Sequence, residues 1–383
     1  MSQTLSQGVR SAWSTVADAV PAAADLAEQF RGLDARVIVF FASPQHDGVA
    51  LSGALRLRFP EAQVVGCSTA GEFTEHAFSV GGVSALALTG EKVLKCAVAF
   101  VKGGGASLPQ AREAVSNAAA EVARGLGTPL RELDPKRHVG VILHDGLHGE
   151  EERINEALGD AAPLLTFVGA SAGDNLAFQK TELFINGSAR SDGALLLLME
   201  LAVPFVVSKT ASFVSRAGPF RVTRANAEQR IIYALDGVPI TDFYVKATGL
   251  PVESIDATVF RTAPLGLMFD GVPFIRSPQT FLPDGGLRFF CGVREGMEVN
   301  LMQSTDLLKD TRASFEEAKA ALGGTVRGGL AFNCILRRLD LDAFGTHEAF
   351  LASFEKTPLA GFHTYGESYI GHVNQTLTAL WMA

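Results

Sequence analysis

The sequence lacks the features that mark several large classes of protein. Apart from adjacent pairs, Arg337-Arg338 and Lys136-Arg137, it has no cluster of basic residues, and 33 Lys and Arg against 41 Asp and Glu give a formal charge of −8. Nucleic acids and anionic membranes both select for concentrated positive charge, so neither is expected as the main partner. The 4 cysteines, Cys67, Cys96, Cys291 and Cys334, are single and far apart, with no C-x-x-C and no zinc-ligand spacing. They read as small core residues kept reduced, not as a disulfide framework. Residues 1–30 lack the basic-then-apolar pattern of a secretory signal. The longest apolar run, residues 194–207, contains Glu200 and Pro204 and reads as a pair of buried strands, not a membrane span. These absences lead to the expectation of a cytoplasmic protein with no membrane insertion and no nucleic-acid partner.

What is present suits a large globular fold. The 383 residues are 47% hydrophobic and 19% charged, enough for two or three domains with their own cores. Residues 2–30 carry a loose helical stripe through Val16, Val20, Leu26 and Phe30, which predicts two short helices separated at Pro21. The run VIVFFA (residues 37–42) has the continuous apolar character of a buried strand. An amphipathic helix follows over residues 47–59, then a strand at 63–65, completing a βαβ unit.

This unit recurs. HVGVIL (138–143) precedes a helix near 150–158 and a strand at 164–168. GLAFNCIL (329–336) precedes a helix near 347–354, with Thr346 at its N-cap position. Each second strand runs into a Gly-rich corner: VVGCSTAGEF (64–73), FVGASAGDNLAF (167–178) and LAGFHTYGES (359–368). The separations Val37 to Gly66, Val139 to Gly169 and Leu330 to Gly361 are 29, 30 and 31 residues. Near-equal spacing with the same element order indicates internal repetition. Right-handed crossovers make each pair parallel and put the corner at the carboxyl end of a strand, where α/β sheets usually hold ligands.

Antiparallel strands follow the first two corners. VSALAL (83–88) is expected to turn back on 93–101. Residues 181–185 turn at Asn186-Gly187, a hairpin signal because both positions accept positive φ. Residues 107–126 form an amphipathic helix, and 103–105 (Gly-Gly-Gly) lack a phosphate-loop Lys and read as a connector. Beyond Arg230 a strand, a turn at Asp236-Gly237 and a helix lead into sheet strands over 264–277 and 287–294, then a helix over 305–322. The reading is a mixed α/β (α+β) chain: βαβ repeats followed by antiparallel strands, mixed sheets flanked by helices, and two domains. The boundaries fall at 1–32 for an N-terminal helical extension, 33–229 for one domain and 230–383 for the other.

The corners concentrate the polar residues. Gly169 to Gly173 spells G-x-S-x-G, but a nucleophile elbow requires a helix after the Ser and a strand follows here, so Ser171 reads as a hydrogen-bonding group in a turn. Hydrolysis at Ser171 or Cys67 stays as the enzyme-class alternative, and no enzyme is expected. Glu72, Asp174 and Glu367 each follow a corner glycine, with Asn175 and Asn374 near by. Such acids either bond their own turn or converge on a ligand's ammonium group. Ser68, Thr69, Asp145 and His363 complete the ligand-binding set, on the expectation that Ser68, Ser171 and His363 line one cavity. His-Asp-Gly occurs at His46 and again at His144. With His148 and His372 these imidazoles are the candidates for an axial haem ligand, and the absence of C-x-x-C-H excludes covalent haem. No other metal site is expected.

Taken together, GCSTAGE (66–72), HDGLHGEEE (144–152), GASAGDN (169–175) with FINGSARSDGALLLL (184–198), GFHTYGES (361–368) and HVNQTLTAL (372–380) make the chain resemble the FIST sensor proteins, with a FIST N and a FIST C domain. The resemblance spans residues 33–383. It implies a bacterial signal-input module that binds a small ligand, amino acids having been proposed for many members. A chain with nothing but the two FIST domains resembles the nitric-oxide-sensing haem proteins of that family, which regulate a separate histidine kinase in two-component signalling. The implied cofactor is then haem, the implied ligand nitric oxide on its iron or else an amino acid, and the implied partner a histidine kinase; a homodimer is compatible with this.

Overall fold

The three first strands read from the apolar runs are Ala35–Ala42, His138–His144 and Gly328–Cys334, all but Arg36 of them buried. Each pairs in parallel with the strand that ends in a corner: Gln63–Ser68, Thr166–Ser171 and Leu359–Thr364. The crossovers are the helices Gly48–Arg58 and Glu151–Ala161, and in the third repeat Ile335–Phe344 followed by His347–Ala352. Asp47 caps the first of these by accepting from the Ala50 N–H at 3.0 Å. These elements come from the computed structural model, which describes residues 8–103 and 107–383.

Each repeat carries two more strands. An antiparallel strand, Val83–Thr89, Gly193–Leu201 or Thr376–Met382, lies on the other side of the first strand. Outside it lies an edge strand, Val9–Ser14, Val93–Lys102 or Phe205–Ala211. A helix joins the edge strand to the first strand: Ala19–Gln29, Leu108–Leu126 and Leu307–Ala321. The helices cover the outer faces of the sheets, as Leu51 and Leu55 do with Ile38 and Phe40, or Val115 and Val122 with Ile142.

After each corner the chain leaves its own sheet. Glu72–Thr74 adds to Leu359–Thr364, with Glu72 opposite Phe362. Glu367–Tyr369 adds to Thr166–Ser171, with Glu367 opposite Ala170. Leu183–Ile185 adds to Gln63–Ser68, with Leu183 opposite Cys67. The first repeat thus lends a strand to the third, the third to the second and the second to the first. The inner faces of the three sheets share one core, with Val39, Phe41 and Val65 from the first, Val141, Leu143 and Val168 from the second, and Leu330, Phe332 and Phe362 from the third. The Phe41 ring lies 4.6 Å from Phe362 and 6.0 Å from Phe332. Burying a side chain of that size contributes roughly 1.5–3 kcal/mol, less the cost of ordering it.

The chain divides into two compact units. The first is Met1–Lys209, Arg312–Gly371 and Leu377–Ala383, and the second is Thr210–Thr311 with His372–Thr376. The second unit interrupts the third repeat between its edge strand and its first helix. Its sheet is antiparallel, in the order Val272–Arg276, Leu265–Phe269, Glu298–Ser304, Phe213–Asn226, Ile231–Leu235, Leu287–Phe289, Pro278–Phe281. The helices Ile240–Thr248 and Ala257–Thr262 help close a core around Tyr244 and Phe260.

The chain is therefore the mixed α/β protein expected, and several local expectations change. Residues 8–30 form a strand and one helix, and Pro21 sits in the first helical turn, where no N–H is needed; residues 2–7 lie outside the described residues. The strands 83–89 and 93–102 follow one another but join different sheets, so they are not the hairpin expected. The Asn186-Gly187 turn is present with φ of 48° and 86°, but it closes on the short strand Ser188–Arg190. Ile335 and Leu336 open a helix that the apolar run concealed. Thr346 occupies the N-cap position without a side-chain bond. Of the glycine run, Gly104 and Gly105 lie outside the described residues.

Candidate functional site

The recurrence of a corner glycine has a steric cause. Gly66, Gly169 and Gly361 face Phe40, Ile142 and Ala331 across the parallel ladder. A Cβ there would come within 2.1, 1.7 and 2.7 Å of the carbonyl oxygens of those three residues. Only glycine lets the two backbones approach so closely.

Beyond the glycines the three corners are hydrogen-bonded into a ring. The Gly173 N–H donates to the Ser68 carbonyl at 3.0 Å and Asn175 N–H to Thr69 at 3.2 Å, joining corners one and two. Ser171 N–H donates to Gly366 at 2.8 Å, and Tyr365 N–H returns to Ser171 at 3.2 Å, joining two and three. Ala70 N–H donates to His363 at 3.0 Å and His363 N–H to Gly71 at 2.7 Å, joining three and one. Ser68, Ser171 and His363 are thereby brought together in the first unit, and all three are buried.

Their side chains have distinct partners. Ser68 Oγ accepts from the Glu182 N–H at 3.0 Å, and Ser171 Oγ donates to Glu151 Oε1 at 3.2 Å. The acids also serve their own turns. Glu72 accepts from the Thr69 hydroxyl, from Gly82 N–H at 3.0 Å, and more weakly from Gly81 N–H and Ser79. Burial raises its carboxyl to about 7 against the pull of those four donors. Glu367 repeats the pattern by accepting from Thr364 three residues earlier. Asp174 accepts from the N–H groups of Phe178, Gln179 and Lys180 at 2.6–2.9 Å and from the Tyr365 hydroxyl. Burial pushes its carboxyl up, but these donors outweigh it and hold the group below the usual carboxylate range. Each acid thus has its own set of donors.

Corner two is strained. Asn175, Leu176 and Phe178 all have φ between 51° and 66°, and the buried Asn175 Oδ1 has no hydrogen-bond partner. Asp145, at the end of the second repeat's first strand, accepts from Thr181, from Asp192 N–H at 2.8 Å and from Leu147 N–H at 3.2 Å. Asn374 is buried and belongs to the second unit.

The four imidazoles considered for haem are dispersed. His46 is buried with Nε2 3.2 Å from the Gly81 carbonyl, and burial lowers its pKa against that bond. His144 is buried in register with Ser171. His148 is half-exposed, 3.0 Å from Asp145; burial opposes its charge, but the carboxylate wins and raises its pKa. His372 lies in the second unit. The described cavities, of about 560, 390 and 270 Å³, are lined by no histidine. These residues fit haem poorly: His46 Nδ1 and His372 Nδ1 are buried without a hydrogen-bond partner, but none of the four imidazoles lines a described cavity. Among the described residues no group of His, Cys, Asp and Glu is arranged to hold a metal ion, and no helix is long and apolar enough to cross a membrane. Cys67 is fully buried, and burial, then Glu72, pushes its thiol well above the ordinary value, away from nucleophile chemistry.

Sequence reasoning missed the residues around His363. Asn333 Nδ2 lies 2.9 Å from His363 Nδ1, and Arg337 Nε donates to Asn333 Oδ1 at 2.8 Å. Arg338 donates through Nη1 to the Ala70 carbonyl at 2.7 Å, and His347 stacks on Phe78 at 3.8 Å. The Arg337-Arg338 pair was visible as a basic doublet. Tyr365, which binds Asp174, was visible only as part of the third corner.

No curated protein sequence matches the chain. Among solved structures, a chorismatase crystal structure aligns over 92% of this chain and 94% of its own at 9% identity, with a TM-score of 0.36. Residues 36–238 match the FIST N domain and residues 241–369 the FIST C domain, a signal-transduction sensor pairing. The chain belongs to the FIST family.

Proposed function

We propose that this chain is a ligand-sensing input module whose small organic ligand is recognised at the ring of corners in the first unit. The observation that carries this reading is a pair of buried polar atoms in that ring with no hydrogen-bond partner, His363 Nε2 and Asn175 Oδ1. A folded chain rarely leaves such groups unpaired, and a ligand that supplied the missing acceptor and donor would bind with a matching gain. The corner acids are a weaker basis for an ammonium site, because their oxygens already accept from internal donors. The family resemblance makes a histidine kinase the partner class to test for output. Hydrolysis at Ser171 or Cys67 has little support in an elbow without its helix and a thiol without a base.

A thermal-shift screen of amino acids and small organic acids, followed by NMR shift mapping of the hits, tests the reading. Hits that map to residues 68–72, 171–178 or 361–367 support it. Hits confined to the second unit, or none, overturn it. Haem-based nitric oxide sensing rests on the resemblance, and a Soret band after haem reconstitution that disappears in His46→Ala, His144→Ala, His148→Ala or His372→Ala would put it first.

A further inference from the structure

The ring nitrogens of His363 have assigned roles. Arg337 Nε can only donate, so the Asn333 oxygen faces Arg337 and its NH2 faces His363. His363 Nδ1 is therefore the acceptor. Burial first, and then the charges of Arg338, His347 and Arg337, hold this imidazole well below its ordinary pKa, so it is neutral. A neutral ring that accepts at Nδ1 carries its proton on Nε2, and that N–H is buried with no acceptor.

The surroundings select the missing acceptor. Arg338 is tied by Nη1 to Ala70, and its Nε lies 3.2 Å from Asp342 Oδ2 without the alignment of a hydrogen bond. Those contacts leave Nη2 unused. The guanidinium carbon stands 5.9 Å over the Phe78 ring. The rings of Phe73 and Phe78 pack on His363 at 5.2 and 5.4 Å. Phe78 and His347 are partly exposed, so one aromatic layer covers the buried imidazole on that side. Phe78 sits on a two-residue strand of the first corner's exit hairpin.

We propose that the junction of the third and first corners binds the carboxylate of a small, planar, apolar organic acid, one oxygen accepting from His363 Nε2–H and the other facing Arg338. This rests on the reading of the corner ring as the ligand site and names the ligand class. Arg337 is engaged by Asn333, so the Arg338 guanidinium and one neutral N–H between aromatic rings face the site and match a singly charged planar group; a phosphate would call for more cations aimed into it.

Titration of the full chain with benzoate, read by histidine 15N–1H NMR and calorimetry, tests it. Benzoate should saturate, shift the His363 Nε2–H proton downfield and slow its exchange with water. Arg338→Gln should weaken binding at least about tenfold, the loss expected for removing one charge-assisted contact. His363→Phe should abolish it. The wild-type resonance alone decides the matter should either variant fail to fold. An unmoved His363 resonance, or inorganic phosphate binding there more tightly than benzoate, overturns the carboxylate assignment. In that event, screen hits that still map to the corners leave the sensory reading standing, and hits that map nowhere in the ring remove both.

Discussion

The Tyr365 hydroxyl donates to Asp174 Oδ1 at 2.5 Å, joining two corners that lie 191 residues apart in the chain. The same oxygen accepts from the Leu176 N–H at 2.7 Å, and the Tyr365 ring stacks on Phe178 at 5.0 Å. One side chain from the third repeat therefore holds the left-handed residues of the second in place.

Removing that hydroxyl should be felt in stability and in its pH dependence. Tyr365→Phe leaves the Leu176 N–H unpaired and takes one donor from Asp174, a loss of about 1–3 kcal/mol by urea denaturation at neutral pH. Asp174 is depressed in the folded state, so its contribution is present above the unfolded pKa and is lost as pH falls through the folded value. The difference between wild type and variant should therefore narrow in acid. A difference that holds constant down to the acid transition contradicts this assignment.

Glu72 has the opposite sign. Its folded pKa of about 7 lies above the ordinary 4.5, so the folded state holds the proton more tightly than the unfolded one. Stability from this group is complete below about 4.5 and declines as pH rises through about 7. Glu72→Gln keeps an oxygen for the Gly82 N–H and removes the buried charge. It should raise the melting temperature at pH 8, by an increment equivalent to about 1–3 kcal/mol, and flatten the profile between the two values. A lower melting temperature for the variant at pH 8 would show that the charged form is the stable one.

Two glycine substitutions should behave oppositely. Gly169→Ala drives a methyl group to 1.7 Å from the Ile142 carbonyl, so the parallel ladder must shift. A cost above about 3 kcal/mol is expected. Gly159 lies in a helix with nothing within 4 Å of its virtual Cβ. Gly159→Ala should therefore stabilise by roughly 0.5–1 kcal/mol. Paired denaturation curves check both, and equal effects would refute the steric account.

Phe41 reports on the shared core. It touches rings from the third repeat alone while packing in a cluster fed by all three. Phe41→Ala should cost about 3–5 kcal/mol, and hydrogen exchange should quicken at Phe332 and Phe362 as well as around residue 41. Acceleration confined to the first repeat would mean that the three sheets open independently.

The repeats were legible because their signals are local: an apolar run, a helical stretch of fixed length, a glycine and an acid. Val37, Val139 and Leu330 sit where the spacing put them. The exchange of exit strands was not legible, since pairing Leu183 with Cys67 or Glu72 with Phe362 depends on contacts that no short window contains. The same holds for strands 83–89 and 93–102, whose short connection suggested a hairpin although each found a better partner elsewhere. At the site, the hydroxyls, acids and His363 were read from the corners. Asn333 and Arg337 were missed because their role depends on a neighbour across the ladder. The four histidines singled out for haem were chosen by residue type, and residue type says nothing about which nitrogen is free.

The circular lending of strands has a consequence for how the molecule is made. The ribosome delivers Gln63–Ser68 and Thr166–Ser171 long before Leu359–Tyr369, so the first two sheets emerge with an edge and an inner apolar face uncovered. Closure waits on the third repeat. A truncated product ending before residue 359 is left with Glu72–Thr74 and its hairpin with nothing to pair against, and should be a client for chaperones or proteases.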